Sequence, residues 1–114
     1  MKKDPLIFIE YIIENIEDIE SFTIKVDEES FLENKEKQNA IIRSLEVIGE
    51  AVKNIPQSIR DKYPKTPWKE IAGTRDKISH HYFGVDLKLI WKIVKENIFR
   101  LKKEMLIIKK DLMG

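Results

Sequence analysis

The sequence contains no cysteine. No disulfide can brace it and no thiolate can hold a metal, so a reducing compartment suits the chain. Long hydrophobic runs are missing as well. The chain begins Met1-Lys2-Lys3, and the apolar run from Leu6 to Ile9 stops at Glu10. A secretory signal needs a longer apolar stretch, and a membrane helix needs about 20 such residues. A cytoplasmic protein with no membrane partner is therefore expected. The four glycines, Gly49, Gly73, Gly84 and Gly114, are scattered, so no glycine-rich phosphate loop is encoded. The two histidines, His80 and His81, are adjacent. Neighbouring histidines cannot both face one ion from a regular helix, and no His-Glu-x-x-His spacing occurs. No metal and no cofactor are expected. No segment alternates with period two, so no sheet is expected either.

What is present describes one helical domain spanning residues 1–114. Hydrophobic residues make up 42% of the chain, enough for a real core. Charged residues reach 36%, against a usual value of roughly 25%. Lysine, glutamate and isoleucine dominate, a mix often met in thermophiles. The net charge of +1 conceals an asymmetry. Residues 1–57 carry 7 Lys/Arg and 13 Asp/Glu, a balance of −6. Residues 58–114 carry 14 and 7, a balance of +7. Two differently solvated faces would account for this. So would a basic half that meets phosphates and an acidic half that meets another protein.

The periodicity predicts an antiparallel bundle of four main helices with one short helical turn, all-α throughout. Asp4-Pro5 is a cap followed by proline at the first helical position. Phe8, Ile9, Ile12, Ile16 and Ile19 then recur at helical spacing opposite acidic residues. Ser21 to Val26 reads as a connection. Asp27 or Ser30 can cap a second helix running to about Ile55, with the stripe Ile41, Leu45, Ile48, Val52 and Ile55. Pro56 ends it, and the segment from Pro56 to Tyr63 fits a helical turn. Thr66-Pro67 opens a third helix from Trp68 to about Phe83, with Gly84 placed to end it. Asp86 caps a long last helix. Leu87, Ile90, Trp91, Val94, Ile98, Leu101, Met105, Ile108 and Leu112 form its stripe, while Ile93, Phe99 and Ile107 lie outside it. Such spare apolar positions suggest a second packing surface, and a dimer contact is expected there.

One segment breaks the pattern. On the Trp68–Phe83 helix, Trp68, Ile71, Ile78 and Tyr82 share a sector of roughly 80° at about 100° per residue. Arg75 falls inside that sector. A guanidinium among apolar neighbours needs a partner or a polar cavity. Glu46 or Glu50 on the second helix could supply a structural partner, or the side chain could reach water. The two histidines follow five and six residues later, and histidine exchanges protons near neutral pH. On an ideal helix His80 points roughly 140° away from Arg75. Both would meet at one atom only if Arg75 reaches round, the helix distorts, or a second chain completes the site.

The run Trp68-Lys-Glu-Ile-Ala-Gly-Thr-Arg75-Asp-Lys-Ile-Ser-His80-His-Tyr82-Phe-Gly-Val-Asp86 resembles the signature of HepT-type proteins in the HEPN superfamily. The upstream run Arg43-Ser-Leu-Glu46-Val-Ile-Gly49-Glu50-Ala-Val-Lys is similar to that family's second helix. Helix order, length and both motifs agree over nearly the whole chain. The resemblance implies a toxin ribonuclease acting as a homodimer, with Arg and His of both chains lining a cleft. It implies a cognate minimal nucleotidyltransferase (MNT) antitoxin that silences the toxin by adding AMP to the motif tyrosine, here Tyr82. Asp76 stands where many members carry asparagine, which sets a carboxylate beside Arg75. His81 occupies the family's variable position.

RNA carries its own nucleophile, the 2′-hydroxyl, so cleavage requires no metal. His80 fits the general acid/base role. Arg75 fits the role of phosphate clamp, which planar guanidinium geometry suits. Tyr82 is expected to position substrate and accept AMP, with Asp76 and Ser79 polarising the site and Glu46 and Glu50 orienting Arg75. Lys88, Lys92 and Lys95 either follow the RNA backbone or form a solvated face. The competing class is a non-catalytic dimer whose cleft holds a nucleotide or docks the nucleotidyltransferase.

Overall fold

Asp4 begins the fold as expected: its side chain accepts from the Leu6 N–H at 2.9 Å, ahead of proline at the first position of α1 (Pro5–Thr23). The computed structural model describes residues 4–79 and 86–114, with the side chains of Arg75, Ile78 and Ser79 also outside the described part. Helix α1 buries Ile9, Ile12, Ile13, Ile16 and Ile19. It runs through Ser21 and Phe22 to Thr23, further than the sequence suggests. The turn that follows places Lys25 at φ 58°, the left-handed region that L-residues enter at a cost of roughly 1–2 kcal/mol.

The second helix is two helices. Asp27 caps α2 (Glu28–Glu33) by accepting from Ser30 N–H at 2.8 Å. Asn34 then interrupts the run and caps α3 (Lys35–Lys53) by accepting from Lys37 N–H at 3.0 Å. The first turn of α3 secures both earlier helices. Lys37 Nζ donates to the Phe22 carbonyl at 2.9 Å. Gln38 Nε2 donates to the carbonyls of Phe31 and Leu32 at 2.9 and 3.1 Å. The carbonyls of a helix end have no partner within the helix, and these side chains supply donors there, at Phe31 beside the Asn34 N–H that also donates to it at 3.2 Å.

The short turn expected after Pro56 is α4 (Gln57–Lys62). Its Arg60 reaches back to the end of α3, donating from Nη2 to the Val52 carbonyl and from Nε to the Ile55 carbonyl at 3.0 Å. A cation at a helix C-terminus answers both the free carbonyls and the helix dipole. Arg60→Ala should lower stability by about 1–3 kcal/mol, because a charged donor leaves two carbonyls behind. Urea unfolding of the variant measures this, and an unchanged midpoint would show that water replaces the guanidinium.

Trp68 opens α5 (Trp68–Ser79). The last helix begins with α6 (Leu87–Lys92), capped by Asp86 on the Leu89 N–H at 3.1 Å. It passes through a π turn at Ile93–Asn97 and continues as α7 (Ile98–Met113). The spacing explains the π turn. Ile90, Val94 and Ile98 are all buried and recur every four residues. Four residues overshoot one α-turn by about 40°, so a locally wider turn keeps all three on the core.

Helix α3 lies centrally, packed on α1 and on α5, while α7 closes against α1. The result is an all-α bundle, with no strand among the described residues. No helix of the described residues is long and apolar enough to cross a membrane. One polar tie crosses the bundle where Lys102 Nζ meets Glu20 at 2.8 Å. Another joins the α4–α5 connection to the far end of α7, where the Tyr63 hydroxyl donates to Asp111 Oδ2 at 2.6 Å. That bond to an ionised carboxylate raises the Tyr63 pKa above its ordinary 10.0. A pKa raised by folding gives stability that is complete below pH 10 and lost as pH climbs through the folded value. Stability should therefore fall more steeply above pH 10 in wild type than in Tyr63→Phe. Parallel alkaline unfolding curves for the two proteins would dismiss the bond as a contributor.

Candidate functional site

Trp68 fixes how α5 is rotated. Its ring is buried and its Nε1 donates to the Tyr63 carbonyl at 3.0 Å, and Ile71 packs on the same core. Two helical turns on, the backbone at Arg75 is helical, so the arginine does lie on the predicted helix. Asp76 and Lys77 next to it are exposed. The side chains of Arg75 and Ser79 lie outside the described part, and His80, His81, Tyr82 and Gly84 lie outside the described residues.

Glu46 and Glu50 are one turn apart on α3, the helix on which α5 packs. Glu46 is half-buried and Glu50 exposed. Together with Arg43, Asn54, Phe8 and Tyr11 they line an open hollow of about 430 Å³ between α1 and α3. Asn54 Nδ2 holds the Glu50 carbonyl at 2.9 Å. The structure thus brings Glu46, Glu50 and Arg43 to one place, and Tyr11 supplies an exposed ring beside them.

A larger groove of about 470 Å³ runs on the opposite side of α3, between α5 and the last helix. Leu45 and Ile48 form its floor. Glu70, Thr74 and Lys77 come from α5, and Lys92, Glu96, Asn97, Arg100 and Glu104 from the last helix. Glu104 Oε2 is buried there without a hydrogen-bond partner among the described residues. Sequence reading missed this groove. One signal existed, a glutamate three residues after Leu101 and one before Met105, at the edge of the buried stripe. Of the three lysines considered for RNA, Lys92 lines the groove, Lys95 lies 4.7 Å over the Trp91 ring, and Lys88 is exposed.

An all-α bundle of this helix order, with the arginine motif beginning on α5, defines a HEPN-like helical protein. The chain belongs to the HepT-like ribonuclease family, since residues 12–108 match the family described as Ribonuclease HepT-like. A Thermococcus cleftensis protein named "Probable ribonuclease HepT" is 50% identical over 102 residues, covering 90% of this chain and 93% of that protein. A Methanocaldococcus jannaschii protein named "Putative RNase MJ0127" is 49% identical over 113 residues, covering 99% of this chain and 93% of its own length. No solved structure matches the chain significantly.

Proposed function

We propose that this protein is a metal-independent endoribonuclease toxin, built as one HEPN-like domain over residues 1–114 and working as a homodimer. Membership of the HepT-like ribonuclease family carries the reading, joined to the run Arg75-x₄-His80-x-Tyr82 that starts on α5. In this proposal the RNA 2′-oxygen bonds to phosphorus while the bond from phosphorus to the 5′-oxygen breaks. The 2′-hydroxyl gives its proton to a His80 imidazole, and a His80 imidazolium gives one to the departing 5′-oxygen. The products are a 2′,3′-cyclic phosphate and a 5′-hydroxyl end. Arg75 holds the phosphate and offsets the charge growing on its oxygens. Asp76 and Ser79 polarise the site, and Glu46 and Glu50 orient Arg75.

The dimer draws support from the last helix. Phe99 and Ile107 are each 57% exposed and Met113 67%, with Leu106 also exposed. Apolar side chains left open along one helix of a small bundle suit a second packing surface. The nucleotidyltransferase antitoxin would silence the enzyme by adding AMP to Tyr82. The test is incubation of partner-free protein, checked by mass for AMP adducts, with total RNA in EDTA. Cleavage leaving cyclic-phosphate ends is expected. An unmodified dimer that cuts nothing would favour the non-catalytic reading, a cleft that binds nucleotide or docks the partner.

A further inference from the structure

The groove between α5 and the last helix plays no part in the bond-breaking chemistry proposed above, yet three observations mark it as a binding site. The first is Glu104, whose Oε2 is buried in the groove wall with no donor among the described residues. A buried acceptor without a donor is unfavourable, and a ligand N–H placed there would recover the lost bond. The second is the π turn, which contributes Glu96 and Asn97 to the same wall. Whatever its cause in core packing, the turn presents these two polar side chains to the groove. The third is charge. Lys77, Lys92 and Arg100 line the groove, and none forms an ion pair among the described residues.

The floor from α3 is apolar, so the matching ligand has a flat apolar body, N–H donors on one edge and phosphate oxygens outside. That is a nucleotide. Of the four RNA bases, guanine offers two adjacent N–H donors on its Watson–Crick edge to one carboxylate. We propose that the groove is a guanine subsite, with Glu104 accepting from the base and Lys77, Lys92 and Arg100 meeting flanking phosphates. Its volume of about 470 Å³ suits a bound nucleotide. The inference rests on the ribonuclease reading, because Thr74 and Lys77 line the groove and flank Arg75 on α5. A guanine seated here would govern which phosphate of an RNA comes to Arg75.

The test is calorimetric titration of the full-length protein with guanosine 3′-monophosphate, adenosine 3′-monophosphate and inorganic phosphate. Guanosine monophosphate should bind at least about tenfold tighter than the other two, the fold-change of one hydrogen bond to a charged group. Glu104→Gln should remove that preference. Arg100→Ala should weaken both nucleotides alike and keep the preference, which guards against a misfolded glutamine variant. Equal binding of all three probes, or an intact preference in Glu104→Gln, overturns the proposal. So does a changed oligomeric state of Glu104→Gln without guanosine binding, which would make the groove a seat for a second copy. Binding is read without turnover. RNA cleavage without guanosine preference sinks the subsite alone, whereas guanosine preference in a protein that cuts no RNA sinks the ribonuclease reading alone.

Discussion

His80→Ala is expected to reduce RNA cleavage by about 10²–10⁴-fold, the usual contribution of a positioned general acid/base. In the proposed reaction the only other side chain of the motif whose ordinary titration range is near neutrality is His81. His81→Ala therefore belongs beside it. A large loss in one variant and a small loss in the other would assign the role. Arg75→Ala should lower cleavage by about 10²–10³-fold, the scale for losing one preorganised charge-stabilising group. Arg75→Lys should recover little, because a lysine ammonium cannot grip two phosphate oxygens from one plane. Melting curves must accompany both. A variant of Arg75 that unfolds more readily while sparing cleavage per folded molecule would make the arginine structural, paired to Glu46 or Glu50 and nothing more.

Phe31→Ala should be the most damaging single change to the fold, at about 3–5 kcal/mol. Phe31 is fully buried and stacks on Trp91 with ring centroids 5.2 Å apart. It is the sole buried residue of α2, a helix of 6 residues. A helix that short has no stability of its own in water, so its place depends on this one ring. Losing the ring would also loosen the carbonyls of Phe31 and Leu32 that Gln38 holds. A fall in melting temperature of more than about 10 °C is expected, at several degrees per kcal/mol for a domain of this size. A loss below about 1 kcal/mol would show that α2 frays independently of the cooperative core.

The bundle was largely readable from the chain because it is built from long amphipathic stripes with explicit caps. Asp4, Asp27 and Asp86 each accept from a backbone N–H where the sequence placed a cap. The stripes of α1 and α3 are the buried faces, and so is that of α7 as far as Ile108, while Leu112 at its end is 39% exposed. The break at Asn34 was missed because no glycine or proline marks it. Asparagine is tolerated inside a helix, and only its side-chain bond to Lys37 shows that it caps one. The π turn escaped for a related reason. Its cause is a run of four-residue spacings, which becomes a distortion only when one core must receive Ile90, Val94 and Ile98 together.

The candidate site divides in the same way. The chemistry proposed for Arg75, His80 and Tyr82 needed no coordinates, because the family resemblance implied it and the side chains carry acid/base and phosphate-binding groups that suit it. Sequence by itself therefore determined the helical class, the helix starts at Asp4, Asp27 and Asp86, and the catalytic proposal. Tertiary structure decided what distant residues share. It set Phe8 and Tyr11 of α1 beside Arg43, Glu46 and Glu50 of α3 in one hollow, and placed Glu104 opposite Lys77 and Thr74 across another. Capping and amphipathicity are local, acting within a turn or two of chain. A groove is made by the packing of helices far apart in sequence, so its lining is written in no single segment.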